Sequence, residues 1–163
     1  MPNIEKILQD SIVVITSTDT KNKSFGTGFV FRKENQDSYI LTCAHVLEEV
    51  GTETICVGSG SLIEQVKVIA CGSRNNVDLA VLKVAGLPER ALDLRNMDGQ
   101  ENISLQIMGF YQEGTKNPII GKYIEGTTEG QIFLTRDKLD GWSLRIDEGY
   151  QLQKGYRVVV QYR

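Results

Sequence analysis

The chain is written in short strands. Between Ser11 and Val84 the runs SIVVITS, GTGFVFR, SYILTCA, TICVG, EQVKVIAC and DLAVLKV succeed one another, each rich in Val, Ile, Thr or aromatic residues. Clusters of Gly, Asn, Asp and Lys separate them. β-branched and aromatic side chains suit a pleated, half-buried surface, and turn signals recur about every 8–12 residues. That rhythm restricts the fold to an antiparallel sandwich or barrel. The opening MPNIEKILQD departs from it, because Ile4, Ile7 and Leu8 lie on one side of a short amphipathic helix. Residues Gly86 to Asn102, GLPERALDLRNMDGQEN, hold a proline and charge pairs without alternation, and read as a connector. Strands resume with ISLQIMGFY, PIIGKYIEG, QIFLTR and SLRID.

Composition narrows the function. At 163 residues, with 40% hydrophobic and 24% charged, the chain suits a soluble globular protein with a real core. A net charge of -3 speaks against a nucleic-acid partner, which would select a basic face. No apolar run approaches the roughly 18 residues of a membrane span, so no membrane partner is expected. The N-terminus lacks the charged-then-apolar profile of a secretory signal. Cys43, Cys56 and Cys71 are odd in number and widely spaced, which suits buried free thiols in a reducing compartment. The cytoplasm is the expected location. One histidine and no Cys-x-x-Cys give no expectation of a metal or other cofactor.

Two side chains stand out chemically. His45, in ILTCAHVLEEV, follows an apolar strand that ends at Cys43, where a helical turn begins. A histidine at a strand end is exposed enough to exchange protons and anchored enough to be aimed, though a lone one is commonly structural. Asp78, in NNVDLAVLKV, stands at the lip of a near-continuous apolar strand. Such an acid either caps a turn or orients a partner.

Taken together, SFGTGFVF, YILTCAHVL and VDLAVLKV, in that order and spacing, resemble the trypsin/chymotrypsin-like serine peptidases. The likeness is to their bacterial, disulfide-free branch, which includes heat-shock-type proteases. The resemblance implies an all-β fold of two antiparallel β-barrels. It places a helix and first barrel with His45 and Asp78 at residues 1–86, a connector at 87–102 and a partial second barrel at 103–163. By the same resemblance His45 is general base and acid, Asp78 orients it, and the substrate is a peptide or protein.

The second barrel matches more loosely. LQIMGFYQEG resembles the family's strand leading to Gly-Phe-Pro-x-Gly, with Tyr111 where proline is common. The family then presents Gly-x-Ser-Gly-(Gly/Ser)-Pro, whose first glycine donates to the oxyanion. Gly155 and Tyr156 match its first two positions, and Arg157 stands where the nucleophilic serine belongs. Arginine stays protonated and cannot attack a carbonyl. Ser143 is the one serine after Ser104, and it lies within a strand without a nucleophile's tight glycine turn.

The ending RVVVQYR therefore has two readings. It is a divergent strand of a pseudoprotease that binds peptides or regulates a partner, or it marks a truncation or frameshift at the nucleophile loop. A dinucleotide inserted before codons for Ser-Gly-Ser-Pro-Val-Ser can be read out as Arg-Val-Val-Val-Gln-Tyr-Arg. Either way the second barrel is short of strands, and unpaired strand edges are expected to favour self-association.

Overall fold

The computed structural model describes residues 3–58, 63, 65–94, 102–134, 139–150 and 156–162. Helix α1, Ile4–Gln9, starts where the Asn3 side chain accepts the Lys6 amide, and it buries Leu8. Six strands follow, interrupted by one helix: β1 (Ile12–Ser17), β2 (Phe25–Glu34), β3 (Asp37–Thr42), α2 (Ala44–Val50), β4 (Ile55–Gly58), β5 (Val66–Cys71) and β6 (Ala80–Ala85). They form one antiparallel sheet in the order β4-β1-β2-β3-β6-β5. The sheet curls, and a bridge between Val57 and Ile63 ties the end of β4 to the chain that leads into β5.

Alternation explains where the core sits. Side chains along a strand point to opposite faces, so a strand buried on both sides reads as a continuous apolar run. In β1, Val13 and Ile15 join Val30, Ile40, Leu82 and Val84 inside the curled sheet, where Val46, Leu47 and Val50 of α2 close one end. The intervening Ile12 and Val14 pack on Leu8 and on Met108 and Phe110 of the second half. The run IVVI thus serves two cores at once.

The second half contains β7 (Ser104–Tyr111), β8 (Ile119–Ile120), β9 (Ile124–Leu134), β10 (Leu139–Ile146) and β11 (Tyr156–Tyr162). Its sheet runs β10-β9-β7-β11, with β8 paired to the end of β7. The fold is all-β, a curled half-barrel sheet followed by a second antiparallel sheet, in keeping with the two-barrel expectation.

Two sequence expectations need correction. PIIGKYIEG and QIFLTR are not separate strands. The first splits into β8 and the start of β9, and β9 then continues through Gly126 and Gly130 into QIFL. Glycines do not break it because β10 lies alongside from Leu139 to Ile146, with a bulge between Ser143 and Leu144. Nor are all three thiols buried: Cys56 is buried, Cys43 half-buried and Cys71 exposed.

The described part of the connector is laid along the first sheet. The Lys33 ammonium donates to the carbonyls of Leu87 and Glu89, and the Leu92 amide to the Val30 carbonyl. Among the described residues no helix is long and apolar enough to cross a membrane.

Candidate active site

Strand register brings the two singled-out residues together. β3 and β6 are neighbours, with Thr42 opposite Ala80. His45 follows Thr42 by one helical step, and Asp78 comes just before Ala80, so both leave the sheet at the same end. Cys43 is extended, and α2 begins at the next residue.

The amides in the first turn of a helix have no partners within it. Cys43 supplies no side-chain cap for α2. Asp78 does so from the neighbouring loop, its Oδ1 accepting the His45 amide at 2.8 Å. Its Oδ2 lies 2.6 Å from His45 Nδ1. A carboxylate only accepts, so Nδ1 carries the proton of this contact, and Nε2 is the basic nitrogen of the neutral ring. One carboxylate therefore fixes the helix start, the ring orientation and the tautomer. The pair is neither sealed nor free in solvent, with side chains 24% and 32% exposed.

Neighbouring groups hold this arrangement. Arg74, in the loop that carries Asp78, donates from Nε to Glu48 at 3.2 Å and from Nη2 to Glu49 at 3.1 Å, tying that loop to α2. The hydrogen bond to Glu49, aided by that to Glu48, raises the Arg74 guanidinium above its usual range. Beneath the helix, the Gly-Thr-Gly segment of β2 has a packing reason for its composition. A Cβ on Gly26 would stand 2.5 Å from Val46 Cγ1, and one on Gly28 would stand 2.6 Å from Ile40 Cγ2. Bare backbone at these positions lets α2 and β3 lie directly on β2. Between the glycines, buried Thr27 accepts the Phe110 amide on its hydroxyl at 2.9 Å. Its carbonyl accepts the Thr42 hydroxyl at 3.0 Å.

Of the other expected site residues, Arg157 lies in β11 opposite Met108 of β7, and Ser143 lies in β10 opposite Gly130. Gly155 lies outside the described residues. Sequence reasoning missed one neighbour: the thiol of Cys43, a nitrogen of His45 and a carboxylate oxygen of Asp78 lie within 4.8 Å of one another. The signal lies in the spacing, since Cys43 is two residues before the histidine, at the end of the apolar run.

A double-barrel β fold with a histidine and an aspartate joined in this way defines the class of trypsin-like peptidases. The chain belongs to that family: the trypsin-like peptidase domain family matches residues 26–155. Among solved structures it is similar to the Rv3671c protease of M. tuberculosis in its active form, with a TM-score of 0.65 at 20% identity. That match covers 93% of this chain and 66% of the other. The HtrA-type protease AlgW, solved with a tripeptide, gives a TM-score of 0.59 at 17% identity, covering 99% of this chain and 59% of that one. Deg5 gives 0.54 at 20% identity, covering 95% and 78%. The chain thus spans about two thirds or less of the first two of these relatives. No curated protein sequence matches it.

Proposed function

We propose that this chain carries the proton-transfer half of a serine endopeptidase site, with His45 as general base and acid and Asp78 as its orienting partner. The observation that carries this reading is the pair of hydrogen bonds that the amide and ring of His45 make to the Asp78 carboxylate. In the complete reaction the imidazole takes the proton of an attacking serine and later protonates the leaving amine, while the half-buried carboxylate stabilises the imidazolium. In this reading the first barrel, residues 1–86, supplies both groups, and a partial second barrel within 103–163 completes the peptide site. Gly155 corresponds to an oxyanion donor. Arg157 corresponds to the nucleophile position, so in this reading residues 1–163 form no acyl-enzyme and cleave no peptides.

A serine-directed fluorophosphonate probe and a peptide-hydrolysis assay test this together. No labelling and no cleavage are expected, and stoichiometric labelling of any serine would overturn the missing-nucleophile assignment.

The second reading, a pseudoprotease that binds peptide or protein segments, is favoured by the same pairing of a retained His–Asp couple with an absent serine. It predicts saturable binding of unstructured peptides without turnover. Calorimetry that detects no heat with any member of a diverse peptide set would dismiss it.

A further inference from the structure

We propose that Cys43, His45 and Asp78 form a binding site for a thiophilic divalent cation, zinc(II) being the type. The three residues offer one sulfur, one nitrogen and one oxygen ligand, and these atoms lie within 4.8 Å of one another. In a tetrahedral zinc site with a Zn–S bond of about 2.3 Å and a Zn–N bond of about 2.0 Å, neighbouring ligand atoms are roughly 3.5 Å apart. The cluster is therefore within a side-chain adjustment of that geometry. All three residues are half-buried, so an ion has access and can keep water in its fourth position. The donor set also selects the ion. A thiolate with an imidazole suits zinc and its relatives, whereas calcium and magnesium take oxygen ligands. Thiolate and carboxylate together offset the two positive charges.

The consequence follows from the hydrogen bond already there. His45 faces Asp78 with Nδ1, at 2.6 Å. A cation bridging these atoms takes the place of the shared proton, and Nδ1 turns from donor to metal ligand. The neutral ring keeps its proton by carrying it on Nε2, and the Cys43 thiol releases one proton to solvent. With Nε2 protonated, the ring no longer accepts a proton where a general base must. Metal binding thus switches His45 off through its tautomer, whether or not a nucleophile is present. The site stands or falls independently of the protease reading, because both readouts below report binding rather than turnover.

The single histidine makes the first test direct. Zinc(II) is titrated into the nitrogen-15-labelled chain while the two ring nitrogens of His45 are followed by NMR. The expected result is a saturable change to the Nε2–H tautomer with Nδ1 shifted as a metal ligand. Ring nitrogens that stay unmoved at saturating zinc would overturn the proposal in the unmodified chain. The second test substitutes cobalt(II) in the Cys71→Ser chain, which lacks the exposed thiol. One cobalt per chain and a thiolate-to-cobalt charge-transfer band are expected. Adding Cys43→Ser should abolish the band and weaken zinc binding by about tenfold or more. A band that survives loss of Cys43, or that is already gone in Cys71→Ser, refutes the assignment.

Discussion

At the scale of single residues, Asp78 does two jobs with one carboxylate, and the two can be separated. Asp78→Ala removes the cap on the His45 amide and the ring contact together. A lost N-cap and a lost charge-assisted hydrogen bond at a half-exposed site should cost about 1–2 kcal/mol, read as a lower urea midpoint, with an unchanged slope, in the transition of the first sheet. The Nδ1 proton that the carboxylate holds is expected to give an NMR signal in the unmodified chain and to lose it in the same variant. Asp78→Asn keeps an oxygen for the amide, so most of the stability should return. Its amide group can also donate to Nδ1, which frees the tautomer, so the ring signal should not return. Equal behaviour of the two variants would mean that capping and ring orientation are not distinct functions of this side chain.

At the scale of elements, the Gly-Thr-Gly strand shows why a motif and its reason are learned from different places. Gly26→Ala sets a new methyl against Val46, a stiff β-branched residue of the helix that carries His45. Overpacking there should cost about 1–3 kcal/mol and shift the His45 resonances, because α2 must move. Gly86→Ala is the control, since no atom lies within 4 Å of its Cβ and only its positive φ of 81° is strained. It should lower stability with His45 undisturbed. The positions of His45 and Asp78 were legible in the sequence because a strand end and a strand start have local signatures. Their contact was not, since it depends on the pairing of Thr42 with Ala80, a relation between distant segments. The continuity of β9 through Gly126 and Gly130 was hidden for a related reason. Turn-forming residues stay extended when the neighbouring strand supplies the hydrogen bonds that a turn would otherwise make. The nearness of Cys43 to His45 was legible from their spacing, but that of Asp78 was not, because only the fold brings it to the thiol.

At the scale of the whole molecule, two kinds of contact join the sheets, and they differ in consequence. The apolar cluster of Leu8, Ile12, Val14, Met108 and Phe110 is non-directional and tolerates small changes. The bond from the Phe110 amide to the Thr27 hydroxyl is directional and buried. Thr27→Val keeps the shape but strands a buried donor, at a cost of about 1–3 kcal/mol, whereas Thr27→Ser retains the oxygen and should cost less. The sheets are also unequally finished. The outer strands of the first, β4 and β5, are brought towards each other through the Val57–Ile63 bridge. In the second, β10 and β11 are the outer strands among the described residues. Outer strands present unpaired backbone groups to other chains, and a sheet with fewer neighbours opens at lower free energy. The second half should therefore lose its protection first. Amide exchange should be faster in β9 and β10 than in β1, β2 and β3, and urea unfolding should be resolved into two steps by separate probes. Trp142 on β10 reports the first step by fluorescence, and the His45 resonances report the second. Light scattering should show association that rises with concentration and falls when outer-strand residues are replaced by lysine. A monomer that unfolds in a single cooperative transition, with tryptophan and histidine signals superimposed, would show instead that the two sheets stand as one unit.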